Sequence, residues 1–244
     1  MKLINSAGLL AVLTFGNVVS SLPAAVTAVK TVFDPNVTYD HIKQFKGSFE
    51  PPRNLDKQAL DLTPLAPLEP AVALDKRYVS STCGPEFHLW DRVQEAHWLC
   101  DAAIRALENP NAYQAGRYIR YFGAGYWNPT VRGIIRARYI MIKEKFSASN
   151  LEMICTWQDA GNTYGDTTYY PGRPDLGAVI RLYALFWRAP DPNQCGDNNA
   201  SKATVLVHEG AHAAWEAKDH GPDPAEDAYL IMWYAASEFG NCGY

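Results

Sequence analysis

The chain has 244 residues, of which 48% are hydrophobic and 20% charged, and its formal net charge is −4. This length and apolar content suffice for a hydrophobic core in one or two domains. Because the net charge is acidic and no block of lysine or arginine occurs, we expect no nucleic-acid partner. The low glycine content and the absence of a sustained heptad exclude collagen-like and coiled-coil proteins.

The first 21 residues have the features of a secretory signal peptide. Lys2 lies in a short basic start, and an apolar stretch follows at residues 9–15. That stretch is too short to cross a bilayer, and small residues suited to signal cleavage come after it. We therefore predict a secreted, extracellular protein that has no membrane association once the signal is removed.

Residues 22–77 form a predicted pro-segment. They are rich in proline, contain no cysteine and end in the dibasic pair Lys76-Arg77, which is typical of processing by kexin-type proteases. Asn36 begins an Asn-Val-Thr sequon and is a predicted glycosylation site. The alternative is an accidental dibasic pair within a linker. With processing, residues 78–244 would be the mature domain of a zymogen.

The mature region reads as helices, then strands, then helices. Helical spacing of apolar residues predicts helices at residues 87–107 and 128–146, with a short helix or turn at residues 116–122. Strand-forming sequences occur at residues 151–157, 164–170 and 178–187. This order indicates an α+β fold. The aromatic residues Tyr164, Tyr169 and Tyr170 could line a cleft or simply pack the sheet onto a helix.

The sequence from His208 to His212 is an HExxH motif. On a helix, residues four apart lie on one face, so both imidazoles can reach one zinc ion. Glu209 would project beside the metal and could take a proton from a zinc-bound water. The helix is expected to begin near Asn198 or Asn199, and Gly210 is expected where the helix packs closely on the sheet.

A catalytic zinc needs a third protein ligand and an open position for water. The residues after the motif offer few candidates, namely Asp219, His220, Asp223, Glu226 and Asp227. Asp223 lies in a Gly-Pro-Asp-Pro turn that could direct its carboxylate towards the helix. The alternatives stay open, since an unused carboxylate is by default a solvated charge or a helix cap. Asn199 also begins an Asn-Ala-Ser sequon and is a second predicted glycosylation site.

Several short motifs besides HExxH resemble those of one protease family. These are Ser-Thr-Cys at residues 81–83, the segments at 118–122 and 130–132, Ile-Cys at 154–155, the run at 203–213, and Asp-Ala-Tyr at 227–229 followed by a final Cys242. Together they resemble the deuterolysins, or aspzincins, which include the fungal lysine-specific metallo-endopeptidases. The resemblance covers most of residues 78–244 and implies a zincin-like fold.

The resemblance implies one zinc ion per chain, with His208 and His212 as ligands and Glu209 as general base. It also implies an aspartate ligand from a GTxDxxYG loop, and Asp223 stands at a matching spacing. The loop itself is replaced by Gly-Pro-Asp-Pro-Ala-Glu-Asp at residues 221–227. Tyr229 is a weak candidate for the tyrosine that stabilises the oxyanion in the family.

All five cysteines lie in the mature region. In a secreted chain this indicates disulfides, with one thiol left over. Spacing does not give the connectivity. The family resemblance implies the pairs Cys83–Cys155 and Cys195–Cys242, which would leave Cys100 as the odd thiol.

These observations favour a mostly helical α+β fold with a small sheet packed on the HExxH helix. The predicted function is that of a secreted, monomeric zinc endopeptidase that acts on protein or peptide substrates. The alternative is a non-catalytic secreted zinc-binding protein on the same scaffold, used for zinc capture or as an effector or antigen. An intact Glu209 favours the enzyme, because zinc capture alone gains nothing from a carboxylate beside the ligands.

Overall fold

The computed structural model describes residues 29–32, 82–173, 176–190 and 200–240. The predicted signal peptide and nearly all of the predicted pro-segment lie outside the described residues. So do the predicted glycosylation sites Asn36 and Asn199, the Lys76-Arg77 pair, and the predicted disulfide partners Cys195 and Cys242. Among the described helices, none combines the length and the apolar character that a membrane span requires.

Six α-helices and four strands make up the described fold. The helices are α1 (Leu89–Glu108), α2 (Ala112–Phe122), α3 (Pro129–Ser147), α4 (Ala184–Arg188), α5 (Lys202–Trp215) and α6 (Ala228–Phe239). The strands are β1 (Val29–Val32), β2 (Leu151–Cys155), β3 (Gly165–Tyr169) and β4 (Ala178–Leu182). The α+β prediction, mostly helical with a small sheet on the HExxH helix, is confirmed.

Local capping explains where the helices begin. The Asn111 side chain accepts a hydrogen bond from the backbone N–H of Gln114, whose own side chain caps the backbone of Asn111 in return. Asn128 caps α3 immediately before Pro129, which suits the first turn because proline lacks the N–H that would be unsatisfied there. In α5 the cap is Ser201, a few residues after the predicted position.

The sheet has the strand order β1-β3-β4-β2. Strand β3 is antiparallel to both β1 and β4, whereas β2 and β4 run parallel. A disulfide joins Cys83 to Cys155 at the end of β2, as the family resemblance implied, and Cys100 is a buried free thiol. The disulfide therefore fixes the segment before α1 to the edge of the sheet.

The strand predicted over residues 178–187 is too long. Strand β4 ends at Leu182, which lies opposite Gly165 and Cys155, the terminal residues of its two neighbours. The chain therefore runs out of strand partners at this point and turns into the short helix α4. Phe186 of α4 is buried in the core. Because a buried helix and a buried strand both need apolar side chains, the apolar run at residues 178–187 did not mark the change from strand to helix.

The core lies where α1, α3, α5 and α6 pack together beneath the sheet. Its largest fully buried side chains include Tyr118, Tyr139, Phe186 and Tyr234. Gly210 allows the closest approach in this core, but against α3 rather than against the sheet as predicted. A Cβ at Gly210 would lie 2.9 Å from Ile142 Cγ2. This face of α5 is opposed to the one that carries the histidines.

Candidate metal centre

Helix α5 presents the three residues of the HExxH motif from a fully buried position. His208, Glu209 and His212 have no exposed surface. Their helix begins with a reciprocal capping box between Ser201 and Thr204, which satisfies backbone N–H groups at the buried end. The i, i+4 spacing brings the two Nε2 atoms to 3.1 Å from each other. The predicted convergence of the two imidazoles is therefore present.

A tight reversal after α5 brings a carboxylate to the histidines. Glu216 ends the helix in the left-handed conformation with a φ of 65°, and His220 also has a positive φ of 59°. Between them, Lys218 is held by two backbone hydrogen bonds, from its N–H to Glu226 and from Ala228 N–H to its carbonyl. These contacts place Asp219 beside the imidazoles.

The three ligand atoms have the separations expected around a tetrahedral ion. Asp219 Oδ1 lies 3.3 Å from His208 Nε2 and 3.3 Å from His212 Nε2. Ligands bound to zinc at about 2.0–2.1 Å in tetrahedral geometry lie about 3.3–3.4 Å from one another. In the described part of the chain, these residues form the group of histidine and carboxylate side chains that could hold a metal ion. The donor set of two imidazoles and one carboxylate fits zinc.

The surroundings of the histidines suit metal ligation. His212 Nδ1 lies 2.7 Å from the Ala217 carbonyl oxygen, so that Nδ1 donates and Nε2 is left to face the metal. Burial, followed by the neighbouring His212, holds the pKa of His208 well below its ordinary value. His208 is thus neutral, which is the form that binds a metal. Burial lowers the pKa of His212, but its bond with Asp219 and the charge of Glu209 leave that pKa raised.

Glu209 is held against the sheet by Thr167 of β3. The Thr167 hydroxyl donates a hydrogen bond of 2.6 Å to Glu209 Oε2, while Oε1 is buried and meets no hydrogen-bond donor among the described residues. Burial raises the pKa of Glu209 to about 8, against the opposing effects of His212 and Thr167. Gly165 lies beside this carboxylate, since a Cβ there would be in contact with Oε1 at 3.4 Å.

The other predicted acidic candidates have structural partners elsewhere. Asp223 caps the short 3₁₀ helix Pro224–Glu226 by accepting a hydrogen bond from Ala225 N–H at 3.0 Å. Glu226 pairs with Arg138 of α3. Asp227 caps α6 and accepts hydrogen bonds from two backbone N–H groups. The structure thus brings Asp219, one of the alternatives named from the sequence, to the histidines in place of Asp223.

Tyr229, the candidate for oxyanion stabilisation, packs against His208, a candidate metal ligand, and against His220. Its ring lies edge-on to His208, with centroids 4.4 Å apart, and stacks on His220 at 5.0 Å and 11°. Because Tyr229 is buried, it supports the orientation of the His208 ring. Sequence reasoning gave no role to this stack, since it depends on the left-handed turn at His220.

A cavity of about 240 Å³ opens beside His212. Its walls include Tyr169 and Tyr170 from the end of β3 and Trp215 and Glu216 from the end of α5. Two of the three tyrosines predicted as possible cleft residues therefore line a cavity next to the metal centre. The third, Tyr164, packs against the core.

Thr167 and the Ala217 carbonyl are contacts of the candidate site that sequence reasoning missed. The Thr-rich composition of residues 164–170 predicted a strand but did not indicate which threonine faces the motif. Because side chains alternate along a strand, Thr167 and Gly165 lie on the same face of β3. The sequence does not show which face of β3 contacts Glu209, so the position of Glu209 would have been needed to select Thr167. No sequence signal marks the Ala217 carbonyl, because every residue carries one.

Comparisons with known proteins point to one family of proteases. Residues 108–228 match the family model of the aspzincins, described as lysine-specific metallo-endopeptidases. Among solved structures, the chain is similar to a zinc peptidase from Grifola frondosa, with 21% identity and a TM-score of 0.48. That similarity covers 63% of this chain and 96% of the peptidase. No curated protein sequence matches the chain.

Proposed function

We propose that the chain is a secreted zinc endopeptidase made as a zymogen. The proposal starts from the family, because the chain belongs to the aspzincin metallo-endopeptidases. The family indicates a zinc metallopeptidase that acts on protein or peptide substrates. The finer elements of the proposal are the identity of the ligands, the role of Glu209, and secretion followed by cleavage after Arg77. Secretion is supported by the signal-like start of the sequence and by its cysteine-containing mature region.

The observation that carries the proposal is the triangle of ligand atoms from His208, His212 and Asp219. Its edges of 3.1, 3.3 and 3.3 Å match those of a tetrahedral zinc site. We assign these three residues as the ligands of one zinc ion. A three-ligand site leaves a coordination position for water, as catalytic zinc sites do and structural sites with four protein ligands do not.

The two oxygens of Glu209 have different roles in this proposal. A bound zinc ion would supply Lewis-acid chemistry, lowering the pKa of water and polarising the scissile carbonyl. Glu209 Oε2 is held by the Thr167 hydroxyl, so it keeps the carboxylate in place. Glu209 Oε1 has no protein donor in the described part of the chain and is the oxygen that accepts the proton from water. It then delivers the proton to the leaving amine.

The ligand assignment is tested by measuring zinc content in two matched variants. Asp219→Asn should reduce the zinc content at limiting free zinc by at least about tenfold, since a charged ligand is lost. Asp223→Asn should retain zinc, because Asp223 caps a 3₁₀ helix instead. If Asp223→Asn loses the metal and Asp219→Asn keeps it, the assignment of the third ligand is wrong.

The catalytic assignment is tested with Glu209→Gln. The amide keeps the size of the side chain but cannot accept the proton, so zinc should remain and casein cleavage should fall by at least about a hundredfold. The assay uses the processed chain, cleaved after Arg77, and processing is verified by intact mass. One zinc per chain without cleavage by either form would instead favour the non-catalytic zinc-binding protein.

A further inference from the structure

Strand β1 comes from the predicted pro-segment and is paired with the sheet of the mature domain. Its four residues, Val29–Val32, run antiparallel to β3. The register sets Val29 opposite Tyr169 and Val32 opposite Asp166. Residues on the amino-terminal side of Lys76-Arg77 thus cover the edge of β3 that β4 does not occupy.

The strand that β1 covers is the one nearest to the metal centre. Thr167 lies opposite Thr31 of β1, and its hydroxyl holds Glu209. At one end of β3, Gly165 faces Glu209 Oε1, and at the other end Tyr169 lines the cavity beside His212. The edge of β3 that β1 covers therefore runs past both the proposed general base and a proposed metal ligand.

We propose that the edge of β3 is a docking surface for one extended peptide, and that residues 29–32 fill it in the unprocessed chain and exclude substrate. The inference rests on the proposed endopeptidase function. Backbone N–H and C=O groups along one strand edge can pair with a single neighbouring strand at a time. A substrate that adds to β3 must therefore displace β1.

The tether explains why so short a strand suffices. Four residues make few hydrogen bonds, and such a strand is marginal by itself. While it belongs to the same chain, β1 binds β3 intramolecularly at an effective concentration of about millimolar. Cleavage after Arg77 removes the covalent link, so β1 is diluted and the edge becomes available. Processing and activation are in this way the same event.

A pair of proline variants tests the backbone pairing in the full chain. Successive N–H groups of a strand point to opposite sides, so only one of Lys30 and Thr31 can direct its N–H towards β3. Proline at that position removes a hydrogen bond of the β1–β3 ladder, whereas proline at the neighbouring position removes an N–H that faces away. Lys30→Pro and Thr31→Pro are therefore each other's matched control.

Two measurements are made on full chains whose unprocessed state is verified by intact mass. The first is hydrogen exchange at the β3 amides, and the second is cleavage of a peptide substrate. One proline variant should lose protection at β3 and cleave about fivefold to tenfold faster than the unaltered full chain, as expected for one lost hydrogen bond. The other variant should behave as the unaltered chain does.

The outcomes separate this inference from the proposed function. If the β3 edge is unprotected in the unaltered full chain, or if neither proline variant changes protection and cleavage, residues 29–32 do not cover β3 and the inference is wrong. If protection changes as expected but neither the full nor the processed chain cleaves any substrate, the endopeptidase proposal fails and the inhibitory role fails with it. If the processed chain cleaves and both proline variants stay inactive, the peptidase stands and the inhibitory role of β1 is refuted.

Discussion

The close contact at Gly210 predicts an unusual response to Gly210→Ala. An added Cβ would lie 2.9 Å from Ile142 Cγ2 and 3.0 Å from Phe146 Cζ, whereas carbon atoms in contact normally lie about 3.5–4.0 Å apart. Overpacking of this kind costs about 1–3 kcal/mol, and the higher helix propensity of alanine offsets about 1 kcal/mol. We expect a net destabilisation of up to about 2 kcal/mol.

Gly133→Ala in α3 is the matched control. Gly133 is exposed in the interior of that helix, and a Cβ there would meet nothing within 4 Å. Alanine should therefore stabilise the protein by about 0.5–1 kcal/mol through helix propensity alone. Urea unfolding is measured with a chelator present, so that metal binding does not contribute to the free energy. If Gly210→Ala is as stabilising as Gly133→Ala, the packing argument for α5 and α3 is refuted.

Three further predictions concern buried polar groups. Arg117 donates two hydrogen bonds of 2.8 Å to Glu238, so Arg117→Met should lower the free energy of unfolding by about 3–5 kcal/mol. The same change at the more exposed Arg136 should lower it by less than about 1 kcal/mol. Equal losses of stability in the two variants would contradict this prediction. Burial lowers the pKa of His97 from 6.5 to about 4. The free energy of unfolding should therefore fall by up to about 3 kcal/mol as the pH is lowered from 6.5 to 4. The stability falls because the unfolded state binds a proton at His97 that the folded state does not. The measurement is urea unfolding at a series of pH values, in which His97→Gln should abolish this fall in stability. Thr167→Val should keep the zinc but lower the rate of cleavage. The acid limb of the pH–rate profile should move to higher pH, because the hydrogen bond that favours the charged form of Glu209 is lost. An unchanged pH profile would show that Thr167 has only a structural role.

The elements that could be predicted from the sequence are those whose signals are local. The spacing of apolar residues located α1 and α3 to within two residues at each end, since one buried face repeats along each helix. The prediction failed over residues 178–187, where the boundary depends on where the neighbouring strands end. Strand β1 was not predicted at all, because its pairing with β3 is set by contacts distant in sequence.

The same distinction holds within the metal centre. His208, Glu209 and His212 could be found because four residues of helix bring two imidazoles together without help from the rest of the fold. Whether Asp219 or Asp223 reaches the histidines depends on the left-handed backbone conformations of Glu216 and His220. The periodic spacing of apolar residues does not predict such conformations. Neither residue is glycine, so the sequence carries no marker of the two reversals.

In the proposed mechanism, strand β3 both positions the general base Glu209 and controls access to the site, because these contacts leave the strand in different directions. Side chains stand perpendicular to a sheet, whereas backbone hydrogen bonds lie within it. Thr167 therefore reaches Glu209 from the face of the sheet, while β1 pairs along its edge. Loss of β1 should open the edge without releasing the Thr167 hydroxyl from Glu209. Changes in β1 should consequently alter how readily substrate binds, and changes at Thr167 should alter the pH dependence of the chemical step.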